Sequence, residues 1–354
     1  MNNAPKDKAR LTQWAKASGC GCKMPPAQLK TLLAGLERPE YAELRVGFEH
    51  ADDAAALRIP GTNQLLLSTA DFFSPVVDNP YDFGRVAAAN ALSDIYAMGG
   101  RPCLALGLLA WPVQELGLES AAEVMRGAQD LCTEERVPLA GGHSIVSEEP
   151  FFGLSVQGLV EAEHLKTNRG ARPGDFLYLT KPLGSGIMAA ALRKGVLETP
   201  DYYGLLEQLS VVNRSGATLA FLEEVHAMTD LTGFGLLGHL LEMLEPATGV
   251  DLWTDHVPLL VGLEHYLEKN ILPDQCYRNW NYVEARIHGM EGSDFAWLCD
   301  PQTNGGLMIA VHPSAAAKVE MILEQAGVKA YAIGRFHNES EGIRCTRSVP
   351  SAPK

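Results

Sequence analysis

Two cysteines one residue apart, followed directly by a lysine, stand at Gly19-Cys20-Gly21-Cys22-Lys23. A thiol attacks as its thiolate, and a neighbouring ammonium favours that form. The interleaved glycines let the backbone move and let a substrate come close. Cys20 has glycine on both sides and is the candidate nucleophile. The alternative is half of a zinc clip. Zinc wants four ligands in paired spacings, and Cys103, Cys132, Cys276, Cys299 and Cys345 stand singly. A Cys20–Cys22 disulfide would be strained. The pattern favours a reactive thiol on a mobile arm.

A second group is acidic: Asp52-Asp53, Asp71, Asp94 and Asp230, each among apolar or small residues. A carboxylate in such surroundings is costly unless a cation pairs with it. Magnesium suits the set, because it takes a few carboxylates and completes its shell with phosphates and water. Asn90 lies one helical turn before Asp94, so the two share a face. Any one of these aspartates could instead be a helix cap or a turn residue. Their number, each at a strand end or within a small-residue helix, is what raises metal binding as an expectation.

Ala140-Gly141-Gly142-His143-Ser144 follows a predicted strand, and consecutive glycines can present backbone N–H groups to a phosphate. Lys181-Pro182-Leu183-Gly184-Ser185-Gly186 looks like a phosphate loop only loosely and lacks the Gly-Lys-Ser/Thr ending of a P-loop. No Gly-x-Gly-x-x-Gly follows a strand, which disfavours a Rossmann dinucleotide site. The ten histidines contain no His-x-x-x-His pair, so a zinc hydrolase has no support.

Several elements must position these residues. Pro25-Pro26 opens a helix over 27–36 with Leu29, Leu32, Leu33 and Leu36 at helical spacing. Gln64–Thr69 reads as a strand ending at Asp71. Asn79 is an N-cap with Pro80 at the first helical position, and that alanine-rich helix runs to about Met98, where Gly99-Gly100 stops it. Strands are expected over 104–109, 137–140 and 152–160, with a helix over 120–135. Asn168–Gly174 is turn-rich and makes the best internal boundary. Beyond it, 176–180 is a strand, Gly184 leads into a helix, and helical periodicity continues to about Glu224. Asp230–Gly238 reads as a polar break before a helix over 239–244. Asp300–Gly306 reads as a loop before a strand over 307–311 and a helix over 315–326.

The 354 residues, at about 150 per domain, point to two domains. We divide the chain into an arm and helix (1–48), an N-terminal domain (49–169) and a C-terminal domain (170–354). Alternating strands and helices argue for α/β or α+β layers. Twenty-nine basic against 43 acidic residues leave a net charge of −14, which repels phosphate backbones and argues against nucleic acid as partner. No stretch approaches the roughly 18 apolar residues of a membrane helix. The polar start, 1–10, has no signal-peptide core behind it. Seven cysteines, an odd and low number, fit a cytoplasmic protein with free thiols.

Taken in order, Gly19-Cys20-Gly21-Cys22-Lys23, Asp52-Asp53-Ala54-Ala55, Asp71-Phe72-Phe73, the run from Asn90 to Gly100, Ala140–Ser144, the run from Thr229 to His239, and Cys299–Thr303 closely resemble selenophosphate synthetases, the selenide, water dikinases. The likeness spans about residues 11–335. The aspartate and glycine motifs are shared with the wider aminoimidazole-ribonucleotide synthetase superfamily, and the Cys-Gly-Cys-Lys arm marks the selenium branch. The resemblance implies two α/β domains behind a flexible N-terminal arm, with N-terminal sheets joined across a homodimer. It implies that ATP, selenide and water give selenophosphate, AMP and orthophosphate, for selenocysteine and selenouridine biosynthesis. It leaves room for a selenium-delivery protein as partner. Residue by residue it makes Cys20 the selenium-handling group and Lys23 a catalytic, phosphate-contacting one. It makes Asp53, Asp94 and Asp230 ligands of Mg2+, with Asp94 also toward the nucleotide, Asp71 beside the phosphates and Asn90 as a helper. His50, Ala51 and Asp52 would line the ATP site, and Gly142, His143 and Ser144 would reach ATP from the partner subunit. Ala51, Ala70, Asn304 and Lys16-Ala17-Ser18 depart from the family's usual residues, and none is an implied metal ligand. The rival expectations are a small-molecule kinase of the same superfamily, with no use for Cys20 and Lys23, and a non-catalytic selenium or metal carrier.

Overall fold

The computed structural model describes residues 10–37, 40–339 and 342–347; the polar start over 1–9 lies outside them. Its strands are β1 (Leu44–Val46), β2 (Ala55–Arg58), β3 (Gln64–Phe73), β4 (Arg101–Trp111), β5 (Leu139–Val146), β6 (Phe151–Glu161), β7 (Phe176–Leu179), β8 (Val225–Asp230), β9 (Gly249–Trp253), β10 (Ile287–His288), β11 (Leu307–Val311), β12 (Tyr331–His337) and β13 (Gly342–Thr346). Its α-helices are α1 (Pro26–Leu33), α2 (Pro80–Ala97), α3 (Val113–Glu134), α4 (Ser185–Arg193), α5 (Thr199–Ser210), α6 (Ser215–Leu219), α7 (Gly235–Met243), α8 (Leu263–Glu268), α9 (Asp274–Val283), α10 (Phe295–Leu298) and α11 (Ala316–Gln325).

The strands form two sheets. The first has the order β1-β2-β3-β6-β4-β5 and the second β10-β13-β9-β12-β7-β11-β8. Pairing is antiparallel except for β4–β5, β10–β13 and β13–β9. Helix α2 is the spine between them. The Asn79 side chain accepts from the amides of Tyr81 and Asp82, Pro80 supplies a pre-set φ, and Gly99 turns the chain out at φ +78°. Between these ends the helix is buried almost all round, because alanines at 87, 88, 89, 91 and 97 let neighbours come close. It packs on α3, β3 and β6 of its own half and on α5, α6 and β8 of the other. Asp94, on this helix, therefore meets residues of the second sheet.

Several boundaries differ from the sequence reading. Helix α3 begins at Val113 rather than near 120 and is broken at Gly117, whose φ of 75° and ψ of 164° are not helical. The stretch from Gly184 with helical periodicity up to Glu224 is three helices, α4, α5 and α6, with non-helical segments between and after them. Strand β8 runs to Asp230, where the sequence pattern marks only the start of a break. Nearly all of it is buried, so it lacks the in–out alternation that marks a half-buried strand. The helix expected from 239 begins at Gly235. Gly141-Gly142-His143-Ser144 is not a loop after a strand but lies within β5, exposed on the edge of its sheet and held by parallel pairing with β4.

Candidate active site

Strand β3 brings the first carboxylate. Along it Leu65, Leu67, Asp71 and Phe73 are buried while Ser68, Ala70 and Phe72 are exposed, so alternation sends Asp71 inward. Thr69 and Asp71, two residues apart on this face, stand about 6.6 Å apart along the strand. Asn90 and Asp94, four apart on α2, stand about 6 Å apart along the helix. The two steps match, and the pairs meet: Asn90 Nδ2 donates to Asp71 Oδ2 at 2.6 Å, and Thr69 Oγ1 donates to Asp94 Oδ2 at 2.6 Å.

Asp53, just before β2, and Asp230, at the end of β8, complete the cluster. Oxygens of Asp53, Asp94 and Asp230 lie within 4.8 Å of one another. Burial raises the pKa of each. Mutual repulsion adds to this at Asp53 and Asp94, and at Asp230 the remaining largest influences, Ser93, His239 and Lys23, oppose it. Thr229 Oγ1 donates to Asp53 Oδ1, but Asp53 Oδ2 and Asp230 Oδ2 are buried without a partner. Buried, unpartnered hard oxygens converging on one point are what an oxygen-preferring divalent cation needs, so the residues fit a bound metal ion.

Asp52 faces the other way from Asp53. Its Oδ1 accepts from the Asn168 amide at 3.0 Å, while Asn168 Nδ2 donates to the carbonyls of His50 (3.0 Å) and Ala51 (3.2 Å). This pins the 50–52 turn to the link between the halves, and Ala51 takes a positive φ of 55° there. Burial raises the Asp52 pKa, and the Asn168 N–H works against it.

The arm closes over the cluster. Gly19 pairs with Ser74 through a bridge, its N–H donating to the Ser74 carbonyl at 3.1 Å. Its φ of +53° and a would-be Cβ 2.3 Å from Thr303 Oγ1 leave room only for glycine. Cys20–Cys22 forms a single 3-10 turn, and the Cys20 amide donates to Thr303 Oγ1 at 3.0 Å. The Cys20 thiol is fully buried and donates to Asn90 Oδ1 at 3.5 Å, the oxygen that also accepts from the Asn304 amide at 2.7 Å. Lys23 Nζ lies 3.3 Å from Asp71 Oδ2 with 31% of its side chain exposed. Burial opposes the Lys23 charge, but Asp71 first, with Asp94 and Asp230, outweighs it and its pKa is raised. At Cys20 the balance runs the other way: burial raises the pKa well above the ordinary thiol value, and Lys23 only partly offsets it. The expected thiolate is thus held as a thiol while the arm is shut.

Sequence reasoning missed Thr69, Thr229, Thr303 and the role of Lys181. Lys181 is no phosphate ligand here. Its Nζ is buried and donates to the carbonyls of Val211 and Asn304, fixing the loop that holds Cys20 and Asn90, and burial lowers its pKa to about 7. Gly142, His143 and Ser144 are not gathered to the cluster of the same chain. Strand β5 is separated from β3 by two strands, about 14 Å across the sheet.

Residues 51–160 match the N-terminal domain, and 172–345 the C-terminal domain, of AIR synthase related proteins. The chain is 44% identical over 337 residues to a selenide, water dikinase of Cronobacter sakazakii, covering 94% of this chain and 96% of that one. It is 45% identical over 331 residues to a selenide, water dikinase of Colwellia psychrerythraea, covering 92% and 95%. The chain belongs to the selenide, water dikinase family. Its two sheets form the two-domain AIR synthase-type fold. Solved structures with that fold include a protein from Thermus thermophilus (TM-score 0.69, 21% identity, 93% and 98% coverage) and a thiamine-monophosphate kinase from Stenotrophomonas maltophilia (TM-score 0.60, 22% identity, 91% and 94% coverage). Among the described residues no helix is long and apolar enough to cross a membrane.

Proposed function

We propose that this chain makes selenophosphate from ATP, selenide and water, releasing AMP and orthophosphate, as a cytoplasmic, Mg2+-dependent homodimer. The observation that carries the reading is the seating of the Cys-Gly-Cys-Lys arm: Lys23 reaches Asp71, and Cys20 reaches Asn90, beside three carboxylates that share one point. Asp53, Asp94 and Asp230 would hold Mg2+, which supplies charge neutralisation for phosphoryl transfer. Asp71 and Lys23 face the phosphates, where Lys23 binds and orients the transferring group. Asn90 holds both Asp71 and the Cys20 thiol in place. Cys20 holds the selenide, without a bond to it, against the transferring phosphoryl group, and the closed arm shields a hydrolysable intermediate from bulk water.

His50, Ala51 and Asp52 line the nucleotide through their turn, whose backbone Asn168 fixes. Gly142, His143 and Ser144 complete the site from a second copy. This is supported by their place on an exposed sheet edge, next to Ile145 and Val146, which are 56% and 78% exposed, and by the outward Phe72 and Leu57 of the same sheet. Free cysteines among the described residues suit a reducing compartment.

The test is phosphorus NMR of an anaerobic reaction with ATP, Mg2+ and selenide. Selenophosphate, AMP and orthophosphate should appear together and depend on selenide. AMP formation indifferent to selenide would point to another substrate of the same superfamily, and no AMP at all would point to a carrier.

A further inference from the structure

A cavity of about 710 Å³ lies against the arm. Cys22, Gly21 and Ser18 line it from the arm, and Ser74, Phe151 and Pro301 from the body. None of Asp53, Asp71, Asp94, Asp230, Cys20 or Lys23 lines it, so the carboxylates form no part of its wall. Four cations border it, Lys16, Arg193, Lys194 and Arg278, against two carboxylates, Glu149 and Asp274, leaving two positive charges in a chain whose net charge is −14. Lys16 is paired with Glu149. Lys194 and Arg278 are exposed and have no carboxylate within ion-pair distance among the described residues.

The substrates make opposite demands on the site. ATP with its metals belongs on the carboxylate side. Hydroselenide, a monoanion at neutral pH, would meet three carboxylates and a triphosphate if it came the same way. Cys20 is fully buried under the arm, whereas Cys22 is partly exposed on the cavity wall. A cleft lined by one sign of charge concentrates ions of the other sign and raises their rate of arrival. We propose that this cavity is the inlet and holding site for the hydroselenide anion, recognised by Lys194 and Arg278, with Cys22 as the first thiol it meets. The proposal rests on the selenophosphate reading and adds the route by which the second substrate reaches the arm.

Two measurements test it. In the anaerobic NMR assay at saturating MgATP, Arg278→Glu and Lys194→Glu should each raise the KM for selenide about tenfold while leaving the KM for ATP alone, within the range that steering by charge gives. Arg278→Lys should stay near the parent, and so should Lys318→Glu, a reversal on exposed α11 outside the cavity. The second readout needs no turnover. In a Cys103→Ser background, Cys22 should be labelled faster by an anionic than by a cationic methanethiosulfonate, and Arg278→Glu should cut that ratio by about fivefold or more. A selenide KM that does not move in either glutamate variant, or a labelling ratio that does not change, overturns the inlet. A parent enzyme that makes no selenophosphate overturns the functional reading instead, and the labelling ratio still reports on the cavity's charge.

Discussion

Neutralising one carboxylate of the cluster should stabilise the metal-free protein and remove its response to metal, a combination that a merely structural aspartate would not give. Asp53→Asn is the cleanest case, because an asparagine Oδ1 can keep the Thr229 hydrogen bond at 2.9 Å. The three oxygens lie within 4.8 Å of one another. Two unit charges at that separation repel by roughly 3.5 kcal/mol at an effective dielectric near 20. Part of this is already relieved by proton uptake, which the pKa values raised by burial favour, so the realised gain in the metal-free state is about 1–3 kcal/mol. That corresponds to a rise of a few degrees in Tm. With Mg2+ present the order reverses, since the parent gains binding energy through linkage and the variant does not. The assay is calorimetry with EDTA and again with millimolar Mg2+, at pH 8. If the metal-free Tm falls in Asp53→Asn, or if its Mg2+-induced rise equals that of the parent, the cluster is not a charge-frustrated cation site and the reasoning fails.

Other outcomes follow from the same geometry. Without metal, stability should decline as pH rises from the ordinary carboxylate range upward, because groups whose folded pKa is raised give their full contribution below the unfolded value and lose it as they ionise in the fold; Mg2+ should flatten that slope, and a melting series over pH with and without EDTA checks it. Cys20→Ser should abolish selenophosphate formation while nucleotide binding by calorimetry persists; unchanged product formation would remove the thiol from the chemistry. Gly233→Ala would place a Cβ 2.7 Å from the Cys20 carbonyl and 3.0 Å from Lys23 Cδ. Crowding of that kind costs about 1–3 kcal/mol and should lift the arm, so Cys20 should alkylate faster and turnover should fall with little change in global Tm.

What the sequence shows plainly is what local chemistry dictates. Asn79-Pro80 and Gly99 bound α2 because caps and breakers act within a few residues. Asn90 and Asp94 share a face because the helix period requires it, and both meet β3. Contacts that join distant segments leave no such trace. The Cys20 amide and Thr303 Oγ1 are 283 residues apart, and a threonine in a glycine-flanked loop has no pattern that names its donor. Lys181 illustrates the same loss: its neighbours Gly184 and Gly186 suggest a phosphate loop, but its ammonium instead satisfies two buried carbonyls. The charge state of Cys20 escapes the sequence for a related reason. Adjacency to Lys23 says that a cation is near, but only the fold reveals that Lys23 is turned to Asp71 and that the thiol is sealed from water. Desolvation then outweighs the ammonium, and the thiolate can form only when the arm lifts and the burial is relieved. A phosphate drawing Lys23 away from Asp71 would thus leave Cys20 no more acidic unless the same event admits water or a second cation beside it. The reactivity of the arm is for that reason tied to its opening, not to its sequence alone.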